Sequence, residues 1–237
     1  MTEHGVYGPP HILAVCGLAM EARIAAGDGV AVVCSGDRRS LVDELRVAAS
    51  PATRAIVSFG MAGGLAVGLR PGACVVARAV LGLGHAFATD HAWAHRMLAA
   101  LPTAIFADLA GVDEALQDPY EKRAWHARTG AVAVDMESHI AGQIARERGL
   151  PFAAVRVVID PVEQQVPNAA LAGHRSDGTA DVRAVLSALL RQPRELPAVT
   201  RLAFDAWTAS RALLRCRRQL DKHFAFVDLA HHPLDVA

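Results

Sequence analysis

The chain has 237 residues, 52% of them hydrophobic, and its 24 basic and 24 acidic side chains cancel. That is enough for one sizeable core and too few for two full domains, and the zero net charge gives a nucleic-acid partner little support. Glu3 and His4 precede a short apolar run broken by Gly17 and Glu21, so neither a secretory signal nor a spanning helix is expected.

In chain order, apolar runs at His11 to Gly17, Val30 to Cys34, Ala55 to Phe59, Ala73 to Val80, Thr103 to Ala107, Gly130 to Val134 and Phe152 to Ile159 predict strands. Helical patterns lie between them at Arg39 to Ala49, Asp90 to Ala100, Pro119 to Arg128 and Ser138 to Arg148, the last followed by Gly149 as a stop. Strands alternating with helices argue for α/β layers. After Asp160, Pro161, Pro167, Pro193 and Pro197 break the chain into a loop and two helices, which places a core boundary near Gln192. The expected division is an α/β domain over 1–192 and a helical tail over 193–237. Cys16, Cys34, Cys74 and Cys216 lack paired metal spacing, and a reducing cytoplasm suits them. His91 and His95 are one helical turn apart, but without a third placed ligand no metal is expected.

Two carboxylates carry the functional signal. The predicted strand ending at Val134 delivers Glu137 to a helix start, where the dipole favours the anion and an ionised carboxylate accepts both hydroxyls of a ribose diol. Met136 beside it offers a soft apolar face. The run Phe152 to Ile159 is apolar except for Arg156 and reads as a strand buried on both faces, with Asp160 at its carboxyl end. Ligands gather at that edge of α/β sheets, and partial burial raises a carboxyl pKa, so Asp160 is a candidate general acid. The plainer alternatives are a turn aspartate before Pro161, helix-start acidity at Asp135 and Glu137, and Met136 as core filler.

The segments Val134-Asp135-Met136-Glu137 and Ile159-Asp160 resemble the ribose and base segments of the purine nucleoside phosphorylase and nucleosidase superfamily. Leu18-Ala19-Met20-Glu21-Ala22-Arg23 after the first strand, and Ser58-Phe59-Gly60-Met61-Ala62-Gly63-Gly64-Leu65, which looks like the family's glycine turn after an inner strand, resemble two further family segments in the same order. The resemblance implies a three-layer α/β fold with a central mixed sheet flanked by helices, a homo-oligomer, and substrate contacts from Asp135, Met136 and Glu137. Arg23 stands where the hydrolytic branch has a third glutamate, and its planar fork suits phosphate oxygens. With amides of Gly17 and Gly63 it forms the expected phosphate site, so inorganic phosphate is the expected co-substrate and no other cofactor is implied. Met61 replaces the family's phosphate-binding serine, and Ile159 the serine that orients the aspartate, so Asp160 must be held another way. A hydrolase acting on methylthioadenosine-like or adenosylhomocysteine-like nucleosides, and a non-catalytic nucleoside-binding relative, are the alternatives.

From Leu196 to Lys222, Val199, Leu202, Ala203, Ala206, Leu213 and Leu220 share one helix face, Arg217 intrudes on it, and five cations lie opposite. Such a helix packs on the core or a second subunit, or lies on a membrane surface held by anionic headgroups. With the arginine-rich tail included, the chain resembles the hopanoid-associated phosphorylases. That resemblance implies an adenosyl-hopane substrate, release of adenine, and peripheral contact with the cytoplasmic membrane face.

Overall fold

The structure, a computed structural model, describes residues 9, 11–82, 84–172, 179 and 181–227. Glu3, His4 and the last ten residues of the predicted tail lie outside the described residues. The strands are β1 (His11–Cys16), β2 (Val30–Cys34), β3 (Thr53–Gly64), β4 (Cys74–Gly82), β5 (His85–Ala88), β6 (Ile105–Gly111), β7 (Ala133–Asp135) and β8 (Phe152–Asp160). The helices are α1 (Ala19–Ala25), α2 (Arg38–Ala48), α3 (His91–Ala100), α4 (Pro119–Thr129), α5 (Ser138–Arg148), α6 (Asn168–Ala172), α7 (Val182–Arg191) and α8 (Leu196–Gln219).

The sheet is mixed. β3 pairs with β8, β8 with β4, β4 with β6, β6 with β7, and β7 returns to β3, so five strands close a ring. β1 and β2 extend the sheet beyond β3, and β5 extends it beyond β4. Alternation along β1 separates the two faces: Ile12, Ala14 and Cys16 pack toward Trp93, Met97, Leu213 and Leu220, whereas Leu13 and Val15 face Leu41, Leu45, Ile140 and Ile144. Helices α3 and α8 therefore cover one face and α2 and α5 the other, the expected three layers.

Local chemistry fixes the helix starts. Asp37, Asp90 and Asp118 each accept a backbone N–H from the first turn of α2, α3 and α4, and Pro119 occupies the first position of α4.

Three expectations need correction. The glycine segment Gly60 to Gly64 is not a turn; β3 runs straight through it for twelve residues. A β-carbon on Gly60 would lie 2.6 Å from both Arg156 Nη1 and Glu21 Oε2, so glycine here admits a buried polar network beside the strand. β5, too short to stand out, pairs antiparallel with β4. The tail is not uniform either: Ala209, Ala212, Leu213, Cys216 and Leu220 join the core, while Leu196, Phe204 and Trp207 earlier in α8 stay exposed. Arg217, the intruder on the apolar face, is buried and satisfied by the carbonyls of Ala25 (3.1 Å), Lys222 (3.1 Å) and Asp221.

Candidate active site

Register brings the two carboxylate segments together. Gly63 of β3 pairs with Val134 of β7 on one side and with Asp160 of β8 on the other. A cavity of about 230 Å³ opens there, with Gly17, Leu18, Glu21, Met61, Met136, Glu137, Ile159 and Asp160 among its walls. Glu21, Asp135, Glu137 and Asp160 all line it, and none of the described lining residues is lysine, arginine or histidine.

Behind this wall, Arg156 is fully buried. Its Nε lies 3.2 Å from Asp135 Oδ2 and its Nη2 3.2 Å from Glu137 Oε2. It also donates to Ser138 Oγ (3.1 Å), Ser58 Oγ (2.5 Å) and the Met61 carbonyl (3.3 Å). One guanidinium thus serves a cluster of carboxylates, and burial dominates over its attraction. Burial raises the pKa of Glu21, against Arg156 and the amide donors. Glu137 is raised to about 8, burial first, with Arg156 opposing and Asp135 and Glu21 adding to it. The expectation that the helix start alone keeps Glu137 ionised is corrected here, because desolvation outweighs the dipole.

Asp135, expected to contact the substrate, lines the cavity and also supports the start of α5. Its Oδ1 accepts the amides of Glu137 (2.9 Å) and Ser138 (2.6 Å), and its Oδ2 takes the Ser138 hydroxyl (2.6 Å) and Arg156. Three hydrogen bonds and the Arg156 ion pair thus engage both of its oxygens. Asp135 thereby holds the first turn of α5, with Glu137 projecting into the cavity. Gly17 faces Glu137 so closely that any β-carbon there would collide with its carboxylate. Met136 lines the cavity and packs against the apolar cluster of Leu65, Val112, Leu116 and Val134.

Asp160 is 5% exposed and its pKa is raised by burial, with Lys122 opposing. Lys122 takes the holding role that the absent serine leaves open: its buried ammonium pairs with Asp160 Oδ2.

The phosphate site expected from Gly17, Arg23 and Gly63 is not assembled. Arg23 is exposed, its Nε donating to the Ala19 carbonyl at 3.3 Å, and it does not line the cavity. Helical phase explains this: at about 100° per residue, Arg23 lies about 200° around α1 from the inward-facing Glu21. The amide of Gly17 is already taken, donating to Glu21 Oε2 (3.0 Å) beside that of Leu18 (3.0 Å), while Met61 N donates to Glu21 Oε1 (2.7 Å). An internal carboxylate fills the nest. Arg38 lines a neighbouring cavity that also touches Met136 and Glu137, but its Nε pairs with Asp113 Oδ1 at 2.8 Å. Glu21, Lys122 and Arg156 are the site residues that sequence reasoning missed; a lone arginine inside a buried strand was the signal for the last.

A pH effect follows. The folded-state pKa of Glu137, about 8, exceeds its ordinary 4.5, so the native state binds the extra proton between them. Stability is then full below the ordinary value and lost as pH rises through about 8. Thermal melts should fall between roughly pH 5 and 9, and Glu137→Gln, which mimics the protonated form, should flatten the fall. A wild-type melting temperature level across that range would contradict the assignment.

A mixed sheet that closes on itself, with an acid at a buried strand end facing a carboxylate at a helix start, is the architecture of nucleoside phosphorylases and nucleosidases. The chain belongs to the phosphorylase superfamily, whose family model matches residues 7–191. Among solved structures it is similar to the 5'-methylthioadenosine/S-adenosylhomocysteine nucleosidase of Neisseria meningitidis in complex with methylthio-immucillin-A. That match has 14% identity and a TM-score of 0.65, and covers 90% of this chain and 98% of the other. Futalosine hydrolase of Helicobacter pylori matches at 13% identity and a TM-score of 0.60, over 89% and 98% of the two chains. Uridine phosphorylase of Vibrio fischeri matches at 13% identity and a TM-score of 0.57, over 86% and 90%. No curated protein shows significant sequence similarity to the chain. At these identities the structural likeness shows the fold alone.

Proposed function

We propose that this chain is a nucleosidase that cleaves the N-glycosidic bond of an adenine nucleoside with water as the nucleophile. The carrying observation is the lining of the cavity: four carboxyl groups and, among the described lining residues, no lysine, arginine or histidine, while Arg156 and Lys122 behind them are already paired. A phosphate dianion finds no free cation among these residues to hold it, whereas a water molecule finds carboxyl oxygens to accept its protons.

The chemistry divides among three side chains. Asp160 gives its proton to a base nitrogen as the C1'–N9 bond breaks and the bonding electrons leave with the purine. Glu137 exchanges hydrogen bonds with the ribose diol, and its ionised form, favoured by Arg156, stabilises positive charge growing on the sugar. Water bonds to C1' and passes a proton to Glu21, whose raised pKa makes it a stronger base than an exposed glutamate. Arg156 supports both glutamates' positions without touching the substrate.

The substrate class is an adenine nucleoside with an apolar 5' substituent, and the lipid-linked adenosyl-hopane of the sequence resemblance belongs to it. Leu18, Met61, Leu116, Met136 and Ile159 give the cavity apolar walls. No described helix is long and apolar enough to cross a membrane. Exposed Leu196, Phe204 and Trp207, with Arg211 stacked on Trp207, instead fit the surface of an anionic membrane. Sedimentation with anionic vesicles that weakens as salt rises is expected; no sedimentation at low salt removes the membrane part of the reading.

The test of the reaction is adenine release from 5'-methylthioadenosine, with and without inorganic phosphate. Equal rates are expected. A rate that appears only with phosphate would return the phosphorylase reading.

A further inference from the structure

Lys122 belongs to the polar stretch Tyr120-Glu121-Lys122-Arg123 at the start of α4, yet it alone of these is fully buried. Burying an ammonium is costly unless every N–H finds an acceptor. Here all three do: Asp160 Oδ2, the Gln164 carbonyl at 2.9 Å and the Pro161 carbonyl at 3.4 Å. The loop that supplies the two carbonyls is tied back to the segment before α4, where Val166 N donates to the Gln117 carbonyl at 3.1 Å, and Val166 itself lines the cavity. Lys122 does not line the cavity. Its contacts run to the acid and to the loop behind the acid.

From this arrangement we infer that Lys122 is a positioning residue for the reaction: it orients the Asp160 carboxyl and stabilises the carboxylate left when the proton has gone to the departing base. This inference rests on the nucleosidase reading above. In the step concerned, the proton moves from the Asp160 oxygen to a base nitrogen, and the negative charge that remains faces the Lys122 ammonium. A solvent proton restores the acid after the base leaves. Two charged groups face Asp160, Lys122 from α4 and Asp205 from α8, and they act in opposite directions. Asp205 favours the protonated acid and Lys122 its conjugate base, so removing Lys122 makes the proton harder to give.

The test titrates the Asp160 carboxyl by ¹³C NMR with aspartate-selective labelling, assigned through Asp160→Asn, and follows the pH–rate profile of adenine release in the same proteins. In Lys122→Met the carboxyl midpoint should move up by about 1 to 3 pH units, because an opposite charge at contact has been lost. The alkaline limb of the rate profile should move with it, while kcat at neutral pH falls by about tenfold or more. Lys122→Gln, which keeps N–H donors for the two carbonyls, repeats the measurement if the Met variant does not fold. Lys122→Arg should restore the wild-type midpoint. A midpoint that stays in place in the uncharged variants, or one that the Arg variant fails to hold, overturns the inference and leaves Lys122 as a packing residue. The NMR titration reads Lys122 without any turnover, so a wild-type protein that releases no base sinks the nucleosidase reading separately.

Discussion

Asp160→Asn should lower the rate of base release by about 10² to 10⁴-fold, the usual contribution of a general acid, while nucleoside affinity stays within a few-fold of wild type. The amide keeps the shape of the carboxyl at the end of β8 and removes the proton that the departing base requires. Its oxygen can still accept from Lys122 beside the Pro161 and Gln164 carbonyls, but the carboxylate that pairs with this ammonium can no longer form. Some stability is therefore lost together with the activity, and the comparison is to be made well below the melting temperature. Single-turnover kinetics with ligand-binding titrations separate the two effects. A variant that turns over at the wild-type rate would remove Asp160 from the mechanism.

Arg156→Met should be the most destabilising single change in the site. It deletes the cation between Asp135 and Glu137, at 3.2 Å from each, and leaves these carboxyls and the buried Glu21 without their shared guanidinium. Breaking one side of a buried ion pair costs about 3 to 5 kcal/mol. For a chain of this length that corresponds to a fall of roughly 6 to 20 °C in melting temperature. The loss should shrink at acid pH, where Glu21 and Glu137 carry protons and need the guanidinium less. A melting temperature within about 2 °C of wild type at neutral pH, roughly the effect of a surface change, would contradict the network's role.

The parts of the site that sequence made legible are those set by local order along the chain. Asp160 stands at the end of an apolar run and Glu137 at the junction of a strand and a helix, and both positions follow from element boundaries alone. What local order does not carry is phase and depth. Arg23 was assigned by its place in a motif, whereas the turn of α1 decides that Glu21 faces the cavity. Lys122 is one charge among several in α4, and its burial depends on the loop after β8, 39 to 42 residues away in sequence. Arg156 looked like an anomaly in a buried strand because its partners come from β3, β7 and the start of α5. The family resemblance suggests a turn at Gly60 to Gly64; in the strand that forms instead, Gly60 leaves room for side chains from neighbouring elements. The helical pattern of the tail anticipated that Leu213 and Leu220 share a buried face, and it could not show that packing stops before Ala206.

The identity of the sugar product distinguishes water from phosphate as the nucleophile most directly. With an adenine nucleoside and excess inorganic phosphate present, phosphorus and proton NMR should show adenine and a free reducing sugar accumulating together while phosphate stays constant. A sugar 1-phosphate formed in step with adenine, at the expense of phosphate, would contradict the assignment of water as the nucleophile.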